Sequence, residues 1–203
     1  MTPTLDQVQT LVAEFQADLE KMTEGDVAHK HILTGTPVVV SEGAYFEIRR
    51  RTAHEFAVCP SEVLIVGSCR TGFSIKDGQV YQPTRPDSDI DVTIVSESLF
   101  QEYWEAVFRF ANSNYGYRES PNYLAFARDL VKGWIMPRGL PRMQSFPKWN
   151  NWVKHFDNLG SQRLHGPEPR NINARLYRSW SRLQAYQEIL VRKRRREMKR
   201  GTR

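Results

Sequence analysis

Apolar residues recur at helical spacing along the first twenty-odd positions, with Val8, Leu11, Val12, Phe15, Leu19 and Met22 on one face. The spacing predicts an amphipathic helix from Thr4 to about Lys21. A connector from Gly25 to Gly43 follows, with a short strand expected at Val38-Val39-Val40. A second helix, about Ala44 to Phe56, carries Tyr45, Ile48, Thr52 and Phe56 on one side and Arg49, Arg50 and Arg51 on the other. The three arginines suit a solvated helix face or contact with a phosphate or acidic partner.

The period then changes. Ser61 to Val66 is a short apolar run that reads as a buried strand and stops at Gly67-Ser68. Ile90 to Val95 reads as a second strand. Ile90, Val92 and Ile94 point to one face; Asp89, Asp91 and Thr93 point to the other. Ser98-Leu99-Phe100-Gln101 has the form of a capping box, opening a helix with Leu99, Tyr103, Val107 and Phe110 spaced for burial. A further helix is expected from about Asn122 to Ile135, where Pro137, Gly139 and Pro141 end it. Met136 to Pro147 then reads as a loop suited to a lid or recognition segment. Trp149, Trp152 and Phe156 lie close together on a short helix, fit either to pack on the core or to stack on a base. Asn171 to Tyr177 alternates again, and a final helix places Trp180, Leu183, Tyr186 or Gln187, and Leu190 inward. The sum is an α+β chain: a small mixed sheet flanked by helices, with helices at both ends.

Composition narrows the class. A chain of 203 residues supports one domain with a real core. Val63 to Val66 is among the longest apolar runs, far too short to span a bilayer, and Met1-Thr2-Pro3-Thr4 shows no secretory signal. A cytoplasmic protein without a membrane span is expected. Cys59 and Cys69 flank the first core strand at a spacing that suits no zinc site. They read as thiols of a reducing compartment, although two cysteines also leave a disulfide open. The net charge of +6 is a local property. Arg192 to Arg203 hold eight basic side chains and one acid, a net of +7, which leaves the rest of the chain at −1. Residues 1–191 are therefore read as the domain and 192–203 as a disordered basic tail. That tail either contacts nucleic acid through its phosphates or merely solubilises the terminus.

Candidate chemistry gathers at the two strand ends. Asp89 and Asp91, two apart on one strand face, suit a single hard cation such as Mg²⁺, which fills its remaining positions with water and phosphate oxygens. The glycine of Gly67-Ser68 lets backbone N–H groups approach a phosphate. Either motif alone also suits a plain turn or a solvated strand face, and Asp87 reads as a turn former ahead of the strand. Together, turn and carboxylates are equipment for metal-assisted phosphoryl or nucleotidyl transfer.

At these residues the chain resembles a known superfamily. Gly67-Ser68, then Thr71-Gly72-Phe73-Ser74, then Ser88-Asp89-Ile90-Asp91-Val92 is similar to the signature of DNA polymerase β-like nucleotidyltransferases. The small single-domain kinds met in bacterial toxin–antitoxin and phage-defence settings are the nearest in form. The resemblance spans Tyr45 to Phe100, about a quarter of the chain, and its Ile75–Asp87 loop is longer than in the most minimal members. It implies a nucleotidyltransferase-like fold and a nucleoside triphosphate bound with Mg²⁺. Asp89 and Asp91 would be the metal-holding catalytic residues, and Gly67 and Ser68 would fix the triphosphate. The expected reaction transfers a nucleotidyl group to a hydroxyl on protein or RNA.

Catalytic members of that superfamily usually add a third acid from a later strand. The corresponding strand here offers Asn173 and Arg175. Asp129 falls in an expected helix, and Asp157 and Glu168 fall in or beside loops, with Asp157 the best remaining acid. His155 and His165 are the later residues fit to act as a base. Without a third acid, two further readings stand: a catalytically weak or inactive regulatory subunit that works with a protein partner, and a nucleic-acid-binding module relying on Arg192–Arg203.

Overall fold

A four-stranded sheet with two differently covered faces organises the chain. The computed structural model describes residues 3–140, 147–162 and 169–201. The strands are β1 (Val63–Val66), β2 (Ile90–Val95), β3 (Trp134–Ile135) and β4 (Ile172–Tyr177), in the spatial order β1-β2-β4-β3. β1 runs antiparallel to β2, β2 parallel to β4, and β3 antiparallel to β4. The sheet is therefore mixed, and the architecture is α+β.

Alternation along the strands sorts the core. Ile65, Ile90, Val92, Ile94, Ile172, Ala174 and Leu176 face one apolar cluster. Over them lie Ile48 and Phe56 of α3 (Glu42–Phe56), Leu99, Tyr103 and Val107 of α5 (Glu97–Ser113), and Trp152 and Phe156 of α7 (Pro147–Ser161). Leu64, Val66, Val95 and Tyr177 face the opposite cluster. That side is covered by α1 (Leu5–Lys21), α2 (Glu24–Ala28) and α8 (Trp180–Gly201), through Phe15, Leu19, Val27, Leu183 and Val191. Helix α1 is set by a capping box, in which Thr4 and Gln7 satisfy one another's backbone donors. The remaining helices are α4 (Ser68–Thr71) and α6 (Pro121–Val131).

Several expectations are corrected. Val38 to Val40 form no strand; the Val38 and Val39 N–H groups donate instead to Arg70 O and Cys69 O, off the sheet. The cap of α5 is Ser96, whose hydroxyl accepts from Leu99 N, rather than Ser98. The helix expected over 122–135 stops at Val131, and Gly133 at φ +85° turns the chain so that Trp134 and Ile135 pair with β4. The larger correction concerns the terminus. Helix α8 runs on to Gly201, so 192–201 is neither an unstructured tail nor separate from the body. Arg194 is 2 % exposed and ion-paired with Asp77 and Glu197. Arg195 donates to Leu19 O, Met22 O and the Glu24 carboxylate, fastening α8 to the end of α1. Of the apolar positions expected inward, Leu183 is buried, but Trp180 is 46 % exposed. Residues 141–146 of the Met136–Pro147 segment lie outside the described residues, as do His165 and Glu168.

Candidate functional site

Gly67 ends β1 in a backbone conformation (φ 69°, ψ −157°) open essentially to glycine alone. There is a second reason for glycine. A Cβ at this position would stand 2.5 Å from Asp91 Oδ2. Turn and carboxylate are thus in direct apposition, because Val66 is the register partner of Asp91 across the β1–β2 pair.

The two carboxylates converge with Asn173. Asp91 is paired in register with Asn173 on β4, and the Asn173 side-chain amide donates to Asp89 Oδ2 at 2.7 Å. Lys76 Nζ lies 3.4 Å from Asp91 Oδ2. Asp89 and Asn173 are exposed, and the Asp91 side chain keeps 17 % of its surface, so the site opens to solvent. Arg175, two residues beyond Asn173, lies with its guanidinium 5.1 Å from the Trp134 ring centre. Burial works against its charge, but Tyr177, Tyr186 and Asp91 outweigh that and hold its pKa above the ordinary range.

Loops fix this arrangement from behind. Thr84 Oγ1 donates to Ser68 O at 2.7 Å and Thr84 N to Gly72 O, folding the long 75–87 loop back onto α4. Cys69 Sγ donates to Asp89 O at 3.4 Å. Arg170, 7 % exposed, donates from Nε and Nη2 to Ser88 O at 2.9 and 2.7 Å, and its Nη2 also contacts Cys69 Sγ. Arg170 therefore sets where Asp89 begins its strand. Its sequence position, in a loop ahead of β4, carries no signal for that role. Lys76 and Thr84 were equally invisible, because loop register is decided by tertiary contacts.

The other candidates lie elsewhere. Asp157 is ion-paired with Arg138, and Asp129 lies 3.5 Å from Lys132 one turn on in its own helix region. Asp87 sits in the turn beside Arg85, as its residue type suggests. His155 Nε2 is 3.0 Å from Thr52 Oγ1 and edge-on to Phe56, in the helical layer between α3 and α7. Burial, with help from Arg51, pushes its pKa down to about 4. It is a half-buried histidine packed on Phe56 and Phe156 and neutral at pH 7. Its unfolded form binds a proton near pH 6.5 and its folded form only near pH 4, so stability falls as pH drops through that window. Between pH 7 and pH 4, His155 is expected to cost on the order of 2 kcal/mol of unfolding free energy. Urea titrations of wild type and His155→Gln over this range would show it, as a pH slope the variant lacks. Trp149, Trp152 and Phe156 pack into the core of the same layer, leaving no stacking surface. Cys59 and Cys69 are free thiols, the first exposed and the second buried with its pKa pushed up to about 11 by desolvation.

Two carboxylates suit one hard cation whose other ligands come from phosphate and water. Among the described residues, no group of three His, Cys, Asp or Glu side chains could hold a metal, and the residue paired in register with Asp91 on β4 is Asn173. The oxygen donors gathered here, the Asp89 and Asp91 carboxylates and the Asn173 amide, are of the kind a hard cation takes. No family model, curated protein or solved structure matches the chain. No helix among the described residues is long and apolar enough to cross a membrane.

Proposed function

We propose that the protein is a nucleotidyltransferase-like enzyme that binds a nucleoside triphosphate with Mg²⁺ and transfers a nucleotidyl group to a hydroxyl on protein or RNA. The observation that carries this reading is the apposition of the glycine-only turn at Gly67 with the Asp91 carboxylate. Backbone at Gly67 and Ser68 would cradle phosphate, and Asp89 and Asp91 would hold the ion. Bound there, Mg²⁺ supplies charge neutralisation and polarisation of the α-phosphate. Lys76 adds a nearby cation for the triphosphate. In the reaction the acceptor oxygen bonds to the α-phosphorus, pyrophosphate leaves, and the hydroxyl proton passes to solvent. Asn173 takes up no proton at neutral pH, so turnover is expected to be slow.

Replacing Asp89 and Asp91 together by asparagine should abolish Mg²⁺-dependent nucleotide binding while leaving the apo melting temperature nearly unchanged, since like charges are removed from a solvent-open site. In wild type, triphosphate with Mg²⁺ at one hundred times Kd adds about 2.7 kcal/mol, roughly 5–10 °C for a chain of this size. A double variant that keeps the full shift would end the assignment.

Asn173 bonded to Asp89 also favours a second reading, a nucleotide-binding subunit without transferase activity that regulates a protein partner. Incubation with α-labelled triphosphates separates the two. Label carried onto protein or RNA supports the enzyme, whereas a thermal shift with no transferred label supports the regulatory subunit.

A further inference from the structure

Beside β1, the terminal strand of the sheet, lies a pocket of about 440 Å³ whose walls combine aromatic and cationic groups. Phe46 and Trp180 border it and are 61 % and 46 % exposed, a large aromatic surface open to solvent. Tyr45 carries the Arg49 guanidinium 5.3 Å from its ring centre, and Arg49 Nε donates to Pro60 O at 2.8 Å. No carboxylate pairs with Arg49 among the described residues. Behind the wall formed by Gly35 and Thr36 lies Arg70, 9 % exposed. Its Nη1 donates to Thr36 O, and its Nε has no partner. Burial pushes its pKa below the usual arginine value, with Tyr45 acting the other way, and no carboxylate is ion-paired with it among the described residues.

That arrangement is costly by itself, because a buried charge without a counter-charge loses its hydration uncompensated. Gly35 borders both the pocket and this guanidinium. The residue stands at φ +79°, and a Cβ there would press within 3.1 Å of Arg70 Nη2. Glycine therefore keeps the wall thin between guanidinium and pocket.

We propose that this pocket binds a nucleoside 5′-phosphate, free or at the end of a nucleic acid strand, with its base against Trp180 and Phe46 and its phosphate toward Arg49, the cation among the lining residues. A base offers a flat π-face to the exposed rings, and a phosphate offers the bidentate oxygens a guanidinium fork matches. Glu42, in the first turn of α3, is the single acid among the lining residues and accepts from a base amino group. The pocket includes none of Gly67, Ser68, Asp89 or Asp91, so the inference is independent of the transferase reading.

Isothermal titration in metal-free buffer with each nucleoside 5′-monophosphate, and with short RNA oligonucleotides bearing a 5′-phosphate or a 5′-hydroxyl, tests it. Saturable binding of the phosphorylated forms is expected. Trp180→Ala and Arg49→Gln, both at solvent-reaching positions, should each weaken it at least tenfold, with folding checked by thermal melts. The Asp89→Asn/Asp91→Asn double variant should bind as wild type does. Equal affinity for monophosphates and 5′-phosphorylated RNA marks a free nucleotide as ligand, and tighter binding of the RNA marks a strand end. The proposal is overturned if none of the phosphorylated forms saturates, if 5′-hydroxyl RNA binds as well as 5′-phosphate RNA, or if both pocket variants bind like wild type.

Discussion

Gly67→Ala is expected to destabilise the protein by about 2–4 kcal/mol, lowering the melting temperature by roughly 5–15 °C. Two costs combine. The backbone conformation at φ 69° and ψ −157° strains any side chain, and the new methyl would meet Asp91 Oδ2 at 2.5 Å. The second cost is separable. In a Gly67→Ala/Asp91→Ala double variant the clash disappears and the strain remains, so the double variant should be more stable than the two single effects sum to. Thermal melts of the four proteins in the cycle measure this. A Gly67→Ala variant melting within a degree of wild type would mean that Asp91 does not face the turn, and the candidate site would lose its central contact.

Truncation after Val191 should be equally damaging, the opposite of what a free basic tail would give. It removes Arg194, together with its helix partner Glu197, from Asp77, and it removes the Arg195 bonds to Leu19 O, Met22 O and Glu24. Hydrogen bonds to charged groups contribute about 1.5–3 kcal/mol each when shielded. The carbonyls at the end of α1 lose their charged donor as well. A loss of roughly 3–5 kcal/mol is expected, read as a lower urea midpoint. Arg194→Met with Arg195→Met should reproduce most of it, and a truncated protein with an unchanged midpoint would show that these contacts do not hold the helix. The truncation is thus a poor test of nucleic-acid binding. Arg192, Arg196, Lys199 and Arg200 are exposed on the helix, and glutamine substitutions there leave the anchoring residues, Lys193 among them, in place. If these residues contact duplex DNA, each lost phosphate contact should flatten the log–log salt dependence by about 0.9.

The contrast within α8 shows how far a sequence can be read. Its charge density was plain, and charge density ordinarily marks a solvated terminus. What made Arg194 and Arg195 structural was the position of Asp77, Glu24 and the end of α1, all distant in sequence. The strand at Val38 to Val40 failed for a related reason. β-propensity is a statement about neighbours, and here the neighbours were the carbonyls of α4 rather than a sheet edge.

The sequence by itself determined the principal helices, the strands β1, β2 and β4, and the face on which each strand residue lies. Those follow from local periodicity, which fixes which side chains share a face. It also singled out Gly67, Ser68, Asp89 and Asp91 as candidates, with Asn173 and Arg175 on the polar face of the later strand. Only the tertiary structure decided that Asn173 donates to Asp89, that Asp91 leaves no room for a side chain at 67, and that Arg170 and Cys69 fix the backbone ahead of β2. Tertiary structure also packed His155 against Phe56 and Phe156 and buried Arg70 beside Thr36. Contacts between residues a hundred positions apart depend on how layers pack, and no local pattern encodes them.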